Sequence, residues 1–229
     1  MTVERILHHF PLDPASRQVR LVLGEKRLPF VDNPVRYWER PRDLTRLNPS
    51  GMIPVLVETE GEGLPLALCE TRAIVDHLEE THAEPALFSP DPAERAEARR
   101  LITWFERKFE FEVSGYILHE KIEKRLLQLG PPELANLRAG KDGLKVHLHM
   151  LDELLQAREW LAGKRLSLAD FAAAAHLSVI DYFGDVPWRD YPAAKTWYMK
   201  LKSRPCFRPL LADRWPGLAP AGHYDDLDF

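Results

Sequence analysis

Cysteine is scarce in this chain of 229 residues, where Cys69 and Cys206 are the only two. They lie far apart, so they provide neither the several disulfides of a small secreted domain nor the closely spaced thiols of a zinc site. This scarcity predicts a protein of a reducing compartment, the cytoplasm, which folds without cross-links and holds no metal. Each cysteine is expected to be a small core residue.

Long apolar runs and a strong excess of positive charge are also missing. The Ala-rich stretch 171–180 is interrupted by His176 and Ser178, well short of the ~20 apolar residues that a bilayer span requires. The formal net charge is −4, without the basic excess that usually accompanies phosphate binding. The first residues are polar and lead directly into a strand-like run, which leaves no room for a signal sequence. We therefore expect no export, no membrane insertion and no nucleic-acid partner.

The N-terminal part of the chain alternates strand and helix signals. Residues 5–10 form a short apolar run, a helix is predicted from about Ser16, and a second extended segment opens at 28–31. The apolar runs 55–57 and 66–68 are separated by two glycines, a pattern typical of a β-hairpin, and a further helix follows. This order of elements predicts an α/β domain.

Strand signals vanish beyond the Pro- and Glu-bearing stretch 84–92, which we interpret as a linker. Helical periodicity then predicts two long amphipathic helices, 93–128 and 142–160, and a buried helix over 168–182. Ser167 and Asp170 have the spacing that satisfies free N–H groups at the start of this buried helix. The predicted division is therefore an α/β domain over 1–83, an all-α domain over 92–213 and a tail without periodicity over 214–229.

A proline opens a strand within the stretch Asn48-Pro49-Ser50-Gly51-Met52-Ile53-Pro54-Val55-Leu56, so one hydrogen bond of the sheet is given up there. This segment resembles the glutathione S-transferase superfamily. The pair Glu70-Thr71 and, further on, Leu161-Ala162-Gly163 with Ser167-Leu168-Ala169-Asp170 match motifs of that family in the expected order. The resemblance covers about residues 5–213. It implies a thioredoxin-like α/β N-terminal domain followed by an all-α C-terminal domain, assembled as a homodimer.

The resemblance also implies a glutathione site. In the family, the proline equivalent to Pro54 is cis, and the preceding residue, here Ile53, offers its backbone to the cysteinyl part of glutathione. Glu70 and Thr71 match the acid and hydroxyl that receive the γ-glutamyl carboxylate at a helix N-terminus. An acid and a hydroxyl at a helix start can also cap that helix without any ligand, so both interpretations stay open. Glutathione is thus the one ligand that the resemblance suggests, and no cofactor is expected to be required.

A transferase of this family needs a Tyr, Ser or Cys after the first strand to stabilise the glutathione thiolate. Here the loop 10–15, Phe-Pro-Leu-Asp-Pro-Ala, contains none of them, and an anionic Asp13 would raise the pKa of a nearby thiol. Ser16 is the nearest hydroxyl and a weak catalytic candidate, although its place at the predicted helix start favours a role as N-cap. We therefore predict no well-supported catalytic residue.

Two further features suggest a protein partner. Trp38 lies in a polar connection between arginines, where an exposed aromatic side chain is a common binding anchor, although it could instead cover a helix of the first domain. The tail combines aromatic residues with the acids Asp225, Asp226 and Asp228 outside any helical pattern. Such a segment suits docking, either on a partner, on its own helical domain or across a dimer. Trp38 and the three acids are the partner-binding candidates.

A transferase scaffold with no obvious nucleophile and an acidic, aromatic tail resembles the transferase-like division proteins of bacteria. That resemblance implies a non-enzymatic homodimer that binds FtsZ polymers, in the cytoplasm and at the division site, and regulates constriction. Two weak contacts to one polymer would reinforce each other and so bundle or curve it. The alternative is a glutathione-dependent transferase acting on a small electrophile, which the motifs at Ile53-Pro54 and Glu70-Thr71 favour.

Overall fold

The structure, a computed structural model, describes residues 3–227. The chain forms two compact units that divide between Ala86 and Leu87, inside the stretch interpreted as a linker. The first unit is α/β and the second is helical, which confirms the predicted fold class. Across residues 3–227, no helix is both long enough and apolar enough to cross a bilayer.

A four-stranded mixed sheet forms the centre of the first unit. Its strands are β1 (Val3–His9), β2 (Val31–Pro34), β3 (Val55–Glu60) and β4 (Leu66–Cys69), in the spatial order β2-β1-β3-β4. β1 and β2 are parallel, whereas β3 is antiparallel to both β1 and β4. The β3–β4 pair confirms the predicted hairpin. The helices are α1 (Pro14–Glu25), the short α2 (Arg42–Leu47) and α3 (Thr71–Thr81).

The core of this unit is formed by α1 and α3, which contact each other, together with the inward-facing side chains of the sheet. Burial alternates along β1, as expected for a strand with one covered face. The fully buried apolar side chains come from the sheet and from both helices: Leu7, Val19, Val22, Val55, Leu56, Ile74, Val75 and Leu78. The unit therefore has a continuous apolar core of its own.

Several boundaries in the first unit differ from the sequence-based prediction. The second strand begins at Val31, at the end of the segment 28–31 rather than at its start. α1 begins at Pro14 and not near Ser16, because Asp13 is the N-cap and accepts a 2.7 Å hydrogen bond from the backbone N–H of Ser16. Pro14 fits the first helical position because that position needs no donor. The interpretation of Ser16 as the N-cap was therefore wrong.

Helices build the second unit. The first long helical stretch begins as α4 (Pro92–Thr103) and continues through wide π-type turns over Trp104–Ser114 and His119–Glu123, with α5 (Gly115–Leu118) and α6 (Lys124–Leu126) after them. It corresponds to the predicted helix 93–128. α7 (Leu134–Ala157) begins earlier than the predicted 142–160. The later helices are α8 (Leu168–Tyr182), α9 (Pro192–Lys202) and α10 (Arg208–Leu211).

α8 is the central helix of this unit, and every one of its fifteen residues is buried. Its bounds coincide with the predicted 168–182. Asp170 fixes its start, because one carboxylate oxygen accepts the backbone N–H and the hydroxyl of Ser167, both at 2.9 Å. The other oxygen accepts the Leu161 N–H and the Trp197 indole N–H, also at 2.9 Å. The capping motif therefore also ties the helix start to two neighbouring segments.

Candidate functional site

The turn before Pro54 is tight and internally bonded. Asn48 organises it by donating from Nδ2 to the Met52 carbonyl at 3.0 Å and accepting at Oδ1 from the Ser50 hydroxyl at 2.9 Å. Gly51 has a φ of +74°, and a Cβ there would lie 2.8 Å from the Arg40 guanidinium. The backbone angle therefore favours glycine at this position, and any larger residue would also have to displace the Arg40 guanidinium. The Ile53–Pro54 peptide bond is cis, as the family resemblance implied.

The sheet register brings the two predicted glutathione-binding motifs together. Val55 pairs with Cys69 across the β3–β4 ladder, so Pro54 and Glu70 lie at the same end of the hairpin. Ile53 is 6% exposed, and its backbone N–H and C=O form no protein hydrogen bond within residues 3–227. An unpaired backbone donor and acceptor beside the end of a strand can be used by a peptide-like ligand.

Glu70 and Thr71 stand at the start of α3. Glu70 is exposed, has a φ of +73° and makes no side-chain bond to the helix N-terminus. Thr71 points its hydroxyl at the Ala15 carbonyl at 3.5 Å. Neither side chain therefore caps α3 in this structure. The carboxylate-binding role that the resemblance implies for this pair stays a prediction.

The loop between β1 and α1 offers no hydroxyl or thiol to a ligand. Phe10 and Leu12 are buried, and burial raises the pKa of the Asp13 carboxyl while it caps α1. Ser16, the weak catalytic candidate, has no exposed surface, and its Oγ accepts the Phe10 backbone N–H at 3.3 Å. Its hydroxyl therefore stabilises the loop by a hydrogen bond in the protein interior.

These observations test whether glutathione fits the residues present. The backbone half of the cradle fits, because Ile53 presents an unpaired donor and acceptor next to Pro54. The half that should stabilise a thiolate does not fit, because the loop supplies neither an exposed hydroxyl nor a cation. Cys69 is no substitute, since burial raises the pKa of its thiol and Glu70 raises it further. The geometry supports binding of a peptide backbone better than activation of its sulfur.

Trp38 lies in a short 3₁₀ turn, Tyr37–Glu39, and is half buried. Its ring meets Phe10 edge-on with centroids 5.4 Å apart and meets Tyr37 in the same manner at 5.3 Å. The side chain thus has a packing role in the first unit while part of its surface remains open. Its contact with a partner stays a prediction.

The terminal segment, residues 214–227, lies against its own helical unit. Tyr224 is fully buried and donates from its hydroxyl to the Leu210 carbonyl at 3.1 Å. Asp225 and Asp226 are exposed, and Asp225 forms an ion pair of 3.2 Å with Arg214. Asp228 lies outside the described residues. The structure therefore adopts the alternative in which the segment packs on its own domain, with two of the three candidate acids facing solvent.

A buried ionic pair that was not predicted from the sequence lies beneath this segment. Lys202 of α9 and Asp181 of α8 both have fully buried side chains, with Nζ and Oδ2 4.0 Å apart. Lys202 donates to the backbone carbonyl of Asp226 at 2.6 Å. The available signal was an acid near the end of a mostly apolar helix, because a buried carboxylate needs a donor or a cation nearby.

Residues 7–86 match the N-terminal domain of glutathione S-transferases, and residues 130–205 match the C-terminal domain. The chain is 72% identical to FtsZ-localized protein A of Caulobacter vibrioides over the full length of both proteins. It is also 27% identical to the glutathione S-transferase GstB of Escherichia coli, over 74% of this chain and 77% of that protein.

Solved structures give a consistent result. The structure of FzlA from C. crescentus superposes with a TM-score of 0.97 at 72% identity, covering 99% of this chain and 100% of that one. A glutathione S-transferase from Rhodospirillum rubrum superposes with a TM-score of 0.94 at 46% identity, over 98% of this chain and 100% of its own. High similarity in sequence and structure therefore extends over both units.

Proposed function

Within the glutathione S-transferase superfamily, to which this chain belongs, we propose that it binds FtsZ polymers and regulates cell division rather than catalysing thiol transfer. The observation that carries the proposal is the 72% identity to FtsZ-localized protein A across both full lengths. Identity at this level spans both units and the terminal segment, so any surface that such a relative uses is expected to have its counterpart here. The name of that relative says that it localises with FtsZ. For this chain we propose a place at the division site.

The geometry of the first unit supports the non-enzymatic part of the proposal. Thiolate stabilisation requires a hydroxyl, thiol or cation that reaches the sulfur. The hydroxyl of Ser16 is buried and already accepts the Phe10 N–H, and Asp13 contributes a carboxyl whose charge would disfavour a thiolate. The fold retains the backbone cradle at Ile53 without the side chain that would activate a bound thiol.

Assembly as a homodimer is the second part of the proposal. The two long helical stretches carry exposed apolar side chains, with Phe111 77% exposed and Val146 68% exposed. Exposed large apolar residues on helices suit an interface with a second copy. A dimer would present two copies of one polymer-binding surface, so that two weak contacts act at high effective concentration and bundle or bend the filament.

Trp38, Asp225, Asp226 and Asp228 are proposed as contacts to the polymer. Trp38 keeps part of its ring open, and the acids at 225 and 226 are exposed. The decisive measurement is co-sedimentation of the full chain with FtsZ polymers, with electron microscopy of bundles. The charge-reversed variant Asp225→Lys/Asp226→Lys should pellet less protein, because it reverses two charges at the proposed contact. The fold should tolerate the change, since neither carboxylate is buried.

The matched control reverses an exposed acid in the turn between β3 and β4, Glu62→Lys, away from the proposed dimer interface and the proposed polymer contacts. It should pellet like the wild type, since it changes the net charge in the same direction, although by one residue rather than two. A wild-type protein that stays in the supernatant at every polymer concentration would overturn the proposed function. A double variant that pellets normally would remove only the two acids from the proposed surface.

A glutathione-dependent transferase acting on a small electrophile is the second candidate function. The unpaired backbone of Ile53 beside cis-Pro54 is the observation that favours it. Calorimetry with glutathione and turnover of a broad electrophilic substrate test it directly. Binding without turnover would fit an inherited cradle with no catalytic side chain, whereas turnover would favour the transferase.

A further inference from the structure

The terminal segment is held by bonds to three different helices of its unit. The Tyr182 hydroxyl of α8 donates to the Leu218 carbonyl at 2.6 Å, and the Ala221 N–H donates to the Tyr182 carbonyl at 2.7 Å. Tyr224 bonds α10 through the Leu210 carbonyl, and Lys202 of α9 bonds the Asp226 carbonyl. The conformation of the segment is therefore specified by the helical unit at several points along its length.

Lys202 makes the contact nearest to the exposed acids. Its side chain is fully buried, and its ammonium lies 5.8 Å from the centre of the Tyr224 ring and 5.9 Å from that of Tyr198. The 2.6 Å bond to the Asp226 carbonyl and the Asp181 carboxylate at 4.0 Å offset the loss of hydration. Burying an ammonium group costs free energy, so Lys202 can stay in the interior only while these partners remain in place.

The acids at 225 and 226 occupy a fixed place because of this contact. The backbone of Asp226 is anchored from below by Lys202, while the Asp225 side chain is paired with Arg214 at the surface. Both carboxylates consequently face solvent from a chain that is ordered before any partner arrives. Binding through an ordered segment avoids the entropy cost of ordering it in the complex.

We infer that Lys202 is a positioning residue for polymer binding, which orders residues 221–227 so that Asp225 and Asp226 are presented in one conformation. This inference rests on the proposed function. A partner cannot touch Lys202, because its side chain has no exposed surface. Any effect of Lys202 on binding must therefore act through the residues that it contacts, of which Asp226 is the exposed one.

The test compares Lys202→Met with the matched control Lys200→Met in the full-length protein. Lys200 lies on the same helix, is exposed and rests over the Trp160 ring at 5.8 Å. Hydrogen exchange within 222–227 is measured at the Tyr224 and Asp226 amides, which donate to the Ala221 and His223 carbonyls. It should be about ten- to a hundredfold faster in Lys202→Met, as expected when a charge-assisted hydrogen bond is lost. Lys200→Met should exchange like the wild type. Polymer affinity should fall about tenfold in Lys202→Met alone, because the acids are then presented in many conformations.

Lys202→Met leaves the Asp181 carboxylate without its lysine partner, which could destabilise the whole unit. A second variant therefore separates the loss of the Lys202–Asp226 bond from a general loss of folding. The double variant Asp181→Asn/Lys202→Met replaces the buried ion pair with uncharged groups and deprives the Asp226 carbonyl of its donor. Asparagine keeps a side-chain oxygen that can accept from the Trp188 indole and contact His223 as Asp181 Oδ1 does. It should show the same faster exchange at 222–227, with the far-ultraviolet circular dichroism of the wild type.

Unchanged exchange at 222–227 in both variants would overturn the inference, as would faster exchange with unchanged polymer affinity. The exchange measurement needs no polymer, so it decides whether Lys202 orders the segment even if the wild-type protein fails to pellet with FtsZ. That failure would instead overturn the proposed function and, with it, the binding part of this inference.

Discussion

The Tyr182 hydroxyl donates a 2.6 Å hydrogen bond to the carbonyl of Leu218, and both residues are buried. Tyr182 is the last residue of α8, whereas Leu218 belongs to the terminal segment. The Tyr224 ring packs on the Tyr182 ring with centroids 5.0 Å apart. The terminal segment is therefore part of the core of the second unit, and changes within it should be measurable as changes in stability.

Tyr224→Ala should lower the free energy of unfolding by about 3 kcal/mol or more, because it empties a fully buried aromatic site and removes the bond to the Leu210 carbonyl. Urea unfolding followed by circular dichroism measures this. The neighbouring Asp225→Ala changes an exposed side chain and should stay within about 1 kcal/mol of the wild type. Equal stability of the two variants would show that the segment is not part of the core.

Gly51→Ala should destabilise the first unit by about 1 kcal/mol or more, because the position has a φ of +74° and the added methyl group would lie 2.8 Å from the Arg40 guanidinium. Two other glycines separate the contributions. Gly61→Ala tests the backbone angle alone, since Gly61 has a φ of +55° and open space around it. Gly222→Ala is the control for both contributions, because its φ lies outside the left-handed region and no atom lies within 4 Å of the added methyl group.

Thermal unfolding should rank these variants with Gly51→Ala lowest, then Gly61→Ala, then Gly222→Ala close to the wild type. If Gly51→Ala and Gly61→Ala lose the same stability, the Arg40 contact contributes nothing to the requirement for glycine at position 51.

Ser16→Ala should leave the ultraviolet thiolate absorbance of added glutathione unchanged at neutral pH, because the hydroxyl is fully buried and cannot reach a ligand. The same variant should lose about 1–3 kcal/mol of stability, since the Phe10 N–H at 3.3 Å is left without its acceptor. Difference absorbance and urea unfolding measure the two effects. A thiolate signal that is present in the wild type and absent in the variant would make Ser16 catalytic after all.

Local signals were sufficient to predict much of the fold. The capping pair Ser167 and Asp170 and the apolar run after them predicted α8 with the bounds that the structure has. The start of α1 was harder, because Asp13 and Ser16 are both good N-caps three residues apart. Pro14 distinguishes the two, since proline favours the first position of a helix over its interior and so indicates Asp13 as the N-cap.

The environment of the candidate site could not be predicted from local patterns in the same way. Nothing near Lys202 in the sequence indicates that its ammonium is buried or that it bonds the chain at Asp226. Trp38 presents the same difficulty, because its packing against Phe10 depends on how a turn meets the loop after β1. Both facts follow from contacts between segments distant in sequence, which a one-dimensional pattern does not encode.

His176 should make the protein less stable as the pH falls below neutrality. It lies on α8, 4% exposed, with Nδ1 3.0 Å from the Ser114 hydroxyl, and burial lowers its pKa from 6.5 to about 3. The unfolded chain takes up a proton near pH 6.5, whereas the folded protein does so only near pH 3. The contribution of this residue to stability is therefore complete above pH 6.5 and is lost progressively between pH 6.5 and 3, by up to ~1.4 kcal/mol per pH unit.

Urea unfolding from pH 7.5 to 4 should therefore give a steeper loss of stability for the wild type than for His176→Gln, which has no group to titrate at this position. Ser114→Ala is the matched control, because it removes the hydroxyl partner and leaves the imidazole buried, so the wild-type slope should persist. Parallel curves for the wild type and His176→Gln would mean that the folded protein accepts the proton as readily as the unfolded chain. In that case the Glu110 carboxylate, 3.4 Å from Nδ1, would stabilise the imidazolium enough to offset its burial in α8.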